Sequence, residues 1–331
     1  MTKTSRRPQA IRGGLVALPS EGTVRAADLL IEDGLIKAIV APGGALSDDA
    51  EHVDATDRLI TPGLVNAHTH SHLAIAKGIS RSWTLELHLH NGPWTGGGQS
   101  LDDRYLLAQA SAAEMLLKGC TACYDLVLEL PTPSPDGMFA TAAGYLDAGM
   151  RAVVTPMLAD RTFWQAIPGL RDSLPESAQA SVDAIRMASS DVALAACERI
   201  LAEWPHDRAM VRPGLAPTIP LHCSDDFWRG ARALADRFGA PMHAHLAESK
   251  IQAISGRARY GTSLTAHLDR LGILGLDFTA AHGIWLDADD LAILARNGAS
   301  VAHNPSSNFR LGSGIADVPA MVAAGVNIGL G

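Results

Sequence analysis

The chain has 331 residues, 47% of them hydrophobic and 19% charged, which suits a globular enzyme and is long enough for one large barrel with a minor unit. A formal net charge of −8 and the lack of a basic stripe argue against a nucleic-acid partner. Four cysteines are too few for a disulfide framework, and no apolar run is long enough to span a bilayer. The start carries Arg6 and Arg7 but no apolar stretch behind them, so it does not read as a secretory signal, and a cytoplasmic setting without a membrane partner is expected.

In chain order, residues 11 to 58 read as β, with Asp33-Gly34 between two apolar runs as a hairpin signal. From Leu59 the texture becomes strand, loop and helix, repeated. Eight strands are expected, one at 59–67 and others starting near 121, 151, 211, 241, 279, 299 and 326. Helices lie between them. Ser100, Ser224 and Asp287 are N-cap candidates, with acids in the first turn, and Gly119, Gly239 and Gly298 stop signals. Strands alternating with helices imply a parallel sheet with right-handed crossovers, and eight such units imply an α/β chain built as a (β/α)8 TIM barrel. The division expected is 1–58 as a β unit and 59–331 as the barrel. Segment 156–181 is polar and punctuated by proline; it reads as a long loop after the third strand, carrying Phe163 and Trp164, and is a candidate lid.

Barrel active sites lie at the C-terminal ends of the strands. Histidines crowd that level: His68 and His70 after strand one, His243 and His245 on strand five, His282 after strand six and His303 after strand seven. Any one alone would be an ordinary half-buried histidine. Together they suggest a metal. His68 and His70 share a face because i and i+2 on a strand point the same way. His245 would be the third nitrogen ligand, and three nitrogens plus a water is the composition of an open, catalytic site. Glu248, just past the strand end, would take the proton of that water, whose pKa a metal pulls toward ~7, and pass it to a ring nitrogen. His243 reads as a supporting residue and not a ligand. Cys120-Thr121-Ala122-Cys123 reads as core, since an odd offset in a strand separates the two thiols, and Gly96-Gly97-Gly98 as a plain loop. The paired H-x-E and P-C-x-x-C signature of nucleic-acid-editing zinc deaminases does not occur.

The segments PGLVNAHTHSH, HAHLAES, AAHGIWLD and HNPSSNFRLGSG resemble the amidohydrolase superfamily, in the branch holding cytosine deaminase, the chlorohydrolases and S-adenosylhomocysteine deaminase. The likeness runs over nearly the whole chain, with the motifs in the family's order. It implies hydrolytic deamination of a small amino-substituted heterocycle (pyrimidine, purine or triazine-like) with release of ammonia. It implies one divalent metal, zinc or else iron, on His68, His70 and His245. Glu248 would be the proton shuttle, and His282 would hold the attacking water or polarise the leaving group. Asn304 and Asn308 would shape the substrate loop; Trp83 and Glu86, in the long loop after strand one with His88, His90 and Trp94, would line the pocket; Thr218 and His303 complete the expected substrate contacts. The N-terminal β unit would be a portion of a small β-sandwich, and the full-length protein a homo-oligomer.

Two departures from the family pattern stand out. The family ends strand eight with an aspartate that binds the metal, and this chain stops at Gly331, just before its place. The chain therefore reads as a fragment, expected to bind metal poorly and to be fragile and largely inactive as it stands. On strand four, relatives that deaminate purine nucleosides often carry a histidine where this chain has Thr218, which lowers the expectation of a nucleoside substrate. Three rivals follow. A two-metal cyclic amidase needs a carboxylated lysine on strand four, which VRPGLAP lacks. A dehalogenase tends to lack the counterpart of Glu248. An inactive, truncated homologue would bind without catalysis.

Overall fold

A computed structural model describes residues 7–79, 82–96 and 98–331. The chain divides into two compact units, Met1–Gly63 and Leu64–Gly331. The first is a five-stranded mixed sheet of β1 (Gln9–Leu18), β2 (Thr23–Glu32), β3 (Leu35–Val40), β4 (Glu51–Asp54) and β5 (Leu59–Ile60). Its order is β3-β2-β1-β4, with β5 also paired to β1. The β2–β3 hairpin turns at Asp33-Gly34, both at positive φ (50° and 75°), the conformation a tight two-residue turn demands. Asp28 is buried in this sheet and accepts hydrogen bonds from Arg12 and from the backbone of Gly13 and Gly43, which hold its carboxyl below the usual range.

Leu59 and Ile60 belong to this first unit, paired in parallel with Leu15 and Val16. The strand expected at 59–67 is therefore divided. Thr61-Pro62-Gly63 interrupts it, and the second piece starts at Leu64. Pro62 has no N–H to donate to a ladder, so one continuous paired strand cannot pass through it.

The second unit carries β6 (Leu64–Thr69), β7 (Cys120–Val127), β8 (Arg151–Leu158), β9 (Val211–Pro213), β10 (Ala216–Pro217), β11 (Met242–Leu246), β12 (Phe278–His282), β13 (Ser300–His303) and β14 (Asn327–Leu330). All their pairings are parallel. β9 and β10 are two halves of one strand position, separated by Gly214 and Leu215, so eight positions run round the barrel. One arc is β10-β8-β7-β6 with β9 on β8, and the other is β11-β12-β13-β14. The arcs join where Leu215 bridges Met242 and where His245 donates its backbone N–H to the Thr218 carbonyl at 2.8 Å. At the opposite seam β14 runs against β6. A side chain at Gly329 would come within 2.8 Å of the Ala67 Cβ, so only glycine allows that approach.

The expected capping residues sit where helices begin. Ser100 and Asp287 form capping boxes with Asp103 and Asp290, and Ser224 caps the helix Asp225–Phe238, which ends on Gly239 in the left-handed conformation. That helix buries Phe227, Trp228, Ala231, Leu234 and Ala235 on one face, against Leu215, Met242 and Ala244 of the barrel wall. Among the described residues no helix is long and apolar enough to cross a membrane.

Two segments expected as loops contain helix. Leu85–Gly96 is a helix that buries Leu85 and packs Leu89 on the main core, while Leu87 is half exposed. Its LELHLH run alternates with period two and so conceals the i, i+4 pair that the helix uses. Segment 156–181 begins inside β8 and then forms short helices at Phe163–Ala166, Arg171–Ser173 and Glu176–Asp183. Thr162 and Gln165 cap the first of these, and Arg171 pairs with Asp183.

Gly144 decides how closely helix Pro135–Asp147 approaches Leu101–Leu117. A Cβ there would lie 2.4 Å from the Tyr105 carbonyl oxygen and 3.1 Å from the Gln109 nitrogen. Gly144→Ala is expected to force the helices apart at a cost of about 1–3 kcal/mol, the usual scale of overpacking. Thermal unfolding reads this as a lower Tm, and an unchanged Tm would count against so tight a backbone contact.

Candidate active site

β6 ends at Thr69, with His68 beside its end and His70 one residue beyond it, and both imidazoles reach the C-terminal mouth of the barrel. β11 brings His245 to the same point. The ring centroids of His68, His70 and His245 are 4.7, 5.0 and 5.3 Å apart, and one nitrogen from each lies within 4.8 Å of the others.

Hydrogen bonds on the far side of two of the rings decide their tautomers. His70 donates from Nδ1 to the Leu126 carbonyl at 2.8 Å, and His245 from Nδ1 to the Thr218 carbonyl at 2.8 Å. Both Nε2 atoms are thereby left as bare lone pairs, and they face each other at 3.3 Å. Two such acceptors repel unless a cation lies between them. Bonds of about 2.0–2.1 Å at a tetrahedral angle put two nitrogens roughly 3.3 Å apart, so the spacing fits a shared metal. His68 places Nδ1 3.2 Å from Nε2 of His243, while its own Nε2 is buried without a protein partner. His243 thus touches His68 and orients it. Burial pushes His70 down to about 4 and His243 to about 3, and His68 and His245 well below the usual range, so all four rings are neutral at neutral pH, as ligation requires.

Glu248 and His282 stand next to this cluster. His282 ends β12 at φ 72°, a conformation that costs a non-glycine residue on the order of 1–2 kcal/mol. It is held there by its Nδ1, which donates to Asn308 Oδ1 at 2.8 Å, so its Nε2 also carries a lone pair. That nitrogen lies 3.4 Å from Glu248 Oε1. Burial, and then the charge of Glu86, raise Glu248 to about 8, while burial lowers His282 to about 4. The contact is therefore between neutral partners at pH 7 and not an ion pair; a divalent cation at the histidines would draw Glu248 back down.

The residues expected to touch substrate divide by position. Glu86, in the first turn of helix Leu85–Gly96, is half-buried and directs its field at Glu248. Trp83 is half-buried just before that helix. Thr218 backs His245 through its carbonyl, with its hydroxyl 3.5 Å from Nδ1 of that ring. Asn308 grips His282 and is itself buried. Asn304 is buried, and among the described residues neither its side-chain polar atoms nor the buried Nδ1 of His303 has a partner. The side chain of Trp94 lies outside the described residues. His90 packs edge-on against Trp164 at 5.3 Å, which joins helix Leu85–Gly96 to the segment expected as a lid.

Asp125 on β7 is a residue that sequence reasoning missed. It is fully buried and accepts hydrogen bonds from the Ser71 backbone N–H at 2.8 Å and the Ser71 hydroxyl at 2.5 Å. Burial raises its carboxyl to about 6, and the bonds from Ser71 oppose that rise. A lone acid inside an otherwise apolar strand, YDLVL, was the available signal.

Residues 59–331 match the model of the amidohydrolase family. The chain belongs to the amidohydrolase family. This amidohydrolase is 31% identical over 323 residues to the 5-methylthioadenosine/S-adenosylhomocysteine deaminase of Thermococcus kodakarensis, with 97% of the chain and 68% of the relative covered. It is 28% identical over 325 residues to the 5'-deoxyadenosine deaminase of Methanopyrus kandleri, with the same coverage, 97% and 68%. An adenosine deaminase from Xanthomonas campestris, solved with bound zinc, superposes with a TM-score of 0.76 at 25% identity, covering 98% of this chain and 68% of that one. The chain thus spans about two thirds of the length of these relatives. The family is one of hydrolases acting on carbon–nitrogen bonds, and His68, His70 and His245 are placed where they could hold a metal ion.

Proposed function

We propose that this amidohydrolase is a zinc-dependent aminohydrolase that replaces the exocyclic amino group of an adenine-type ring by oxygen and releases ammonia. The observation that carries the reading is the convergence of ring nitrogens from His68, His70 and His245 beside the Glu248–His282 pair. When bound, the metal supplies Lewis acidity that draws the pKa of water toward about 7. Glu248, protonated at neutral pH in the structure as it stands, delivers its proton to a ring nitrogen, takes one from the attacking water as the C–O bond forms, passes it to the amino group as the C–N bond breaks, and regains a proton from the new hydroxyl as the carbonyl forms. His282 accepts a hydrogen bond at Nε2 and holds that water on line, while Asn308 keeps its ring from turning. One water enters, one ammonia leaves, and the protein ends in the protonation state in which it began.

Relatives named for adenosine-type substrates support a purine nucleoside over a bare pyrimidine or triazine. Thr218, where nucleoside deaminases often carry histidine, favours the smaller ring and is the reason to test both. Zinc is proposed over iron because a similar solved structure carries zinc. A cytoplasmic site of action and homo-oligomeric assembly belong to the same reading, and the four free cysteines suit a reducing compartment. Ammonia release by the full-length protein, followed together with the ultraviolet shift of deamination, should occur with methylthioadenosine, 5'-deoxyadenosine or adenosine and be weak with cytosine and aminotriazines. Release from triazines alone, or from none of these, would defeat the proposal.

A further inference from the structure

We propose that Asp125 is a positioning residue for the metal centre, its carboxylate fixing the turn that carries His70. The inference rests on the metal-centre reading and adds a residue to it. The geometry starts from a fault in the barrel wall. β6 and β7 run in register only over Val65–Ala122 and Asn66–Cys123, after one shift at Leu64–Val65, and the next pair is Thr69–Asp125, three residues on along β6 and two along β7. The extra residue falls at Ala67-His68, so backbone pairing is broken at the point where the ligands leave the strand. Beyond Thr69 three successive residues are tied to β7 and its continuation through other atoms. His70 bonds the Leu126 carbonyl, Ser71 bonds the Asp125 carboxylate twice, and His72 accepts at Nδ1 from the Leu128 backbone N–H at 3.4 Å.

Of these ties the Asp125 pair is the shortest, and it holds both the backbone and the side chain of the residue next to His70. A fully buried carboxylate is costly to keep without a cation, and an apolar residue would pack a strand interior more cheaply. Its hydrogen bonds to Ser71 set the backbone direction of that turn, and so where the Nε2 of His70 points.

The test compares the full-length wild-type protein with its Asp125→Asn, Ser71→Ala and Thr155→Val variants. Thr155 is the control, because its hydroxyl donates to the Asp125 backbone carbonyl at 2.8 Å and leaves the carboxylate untouched. Zinc affinity is measured by chelator competition, geometry by the visible spectrum of the cobalt-substituted protein, and folding by Tm. Asp125→Asn is expected to weaken zinc binding by about 10–100-fold, the usual scale for groups that orient ligands, and to alter the cobalt spectrum. Ser71→Ala should move both in the same direction by a smaller factor, and Thr155→Val should lower Tm with zinc affinity unchanged. Wild-type affinity and spectrum in Asp125→Asn and Ser71→Ala would overturn the proposal, as would an equal loss in Thr155→Val. If Asp125→Asn fails to fold, Ser71→Ala decides alone, and wild-type zinc binding in that variant refutes the idea. A wild-type chain that takes up zinc but releases no ammonia defeats the deaminase reading and leaves this one intact; a wild-type chain that takes up no zinc defeats both.

Discussion

In the full-length protein, Glu248→Gln is expected to leave zinc content at the wild-type level and to depress turnover by roughly 10² or more, the scale of a positioned acid–base group. The substitution keeps shape and burial but removes the titrating proton. Glu248 is well placed for this loss, being 3% exposed and 3.4 Å from a neutral histidine, with its carboxyl raised to about 8. Glutamine cannot cycle a proton between water and a ring nitrogen. Substrate binding should change little, so the effect falls on kcat and not on KM. Metal analysis and steady-state kinetics on the same preparation check it. Zinc lost in parallel with activity would show that Glu248 serves the metal directly, and unchanged turnover would remove it from the reaction.

The second large effect is expected on the metal. His245→Ala removes one of the two nitrogens that face each other at 3.3 Å, and with it the Nδ1 anchor to Thr218. Structural zinc sites with four donors are worth on the order of 10–16 kcal/mol, so one missing nitrogen removes roughly a quarter, about 3 kcal/mol or some two orders of magnitude in affinity. Chelator competition reads this directly, and deaminase activity should fall with it. His243→Ala is the informative companion, because His243 reaches the site only through the Nδ1 of His68 and should cost about 10–100-fold. A His245→Ala chain that holds zinc as tightly as wild type, beside a His243→Ala chain that loses it, would exchange the two roles.

These predictions differ in how far the amino-acid sequence alone supports them. The pair His68 and His70 was legible because alternation along a strand is a local rule: residues two apart share a face whatever surrounds them. The hairpin at Asp33-Gly34 and the caps at Ser100, Ser224 and Asp287 were legible for the same reason, since turns and helix ends are set by residues within three or four positions of one another. The repeating strand and helix texture implied eight parallel strands, and the barrel follows from it.

Contacts between distant segments were not legible. His243 and His245 lie on the same face of β11, so which of them meets His70 depends on their level along the strand relative to β6, which is fixed only when the barrel closes. That Asn308 grips His282, that the Thr218 carbonyl sets the tautomer of His245, and that Asp125 anchors Ser71 are bonds across 26, 27 and 54 positions. Local misreadings had local causes, as when Pro62 broke a strand and LELHLH disguised a helix. The sequence by itself determined the histidines, their place at strand ends and the parallel barrel that carries them, because these follow from short-range periodicity and residue chemistry. Only the tertiary structure decided which nitrogen of His70, His245 and His282 is bare and what holds each of these rings still, because those choices rest on hydrogen bonds formed after the strands have closed round one another.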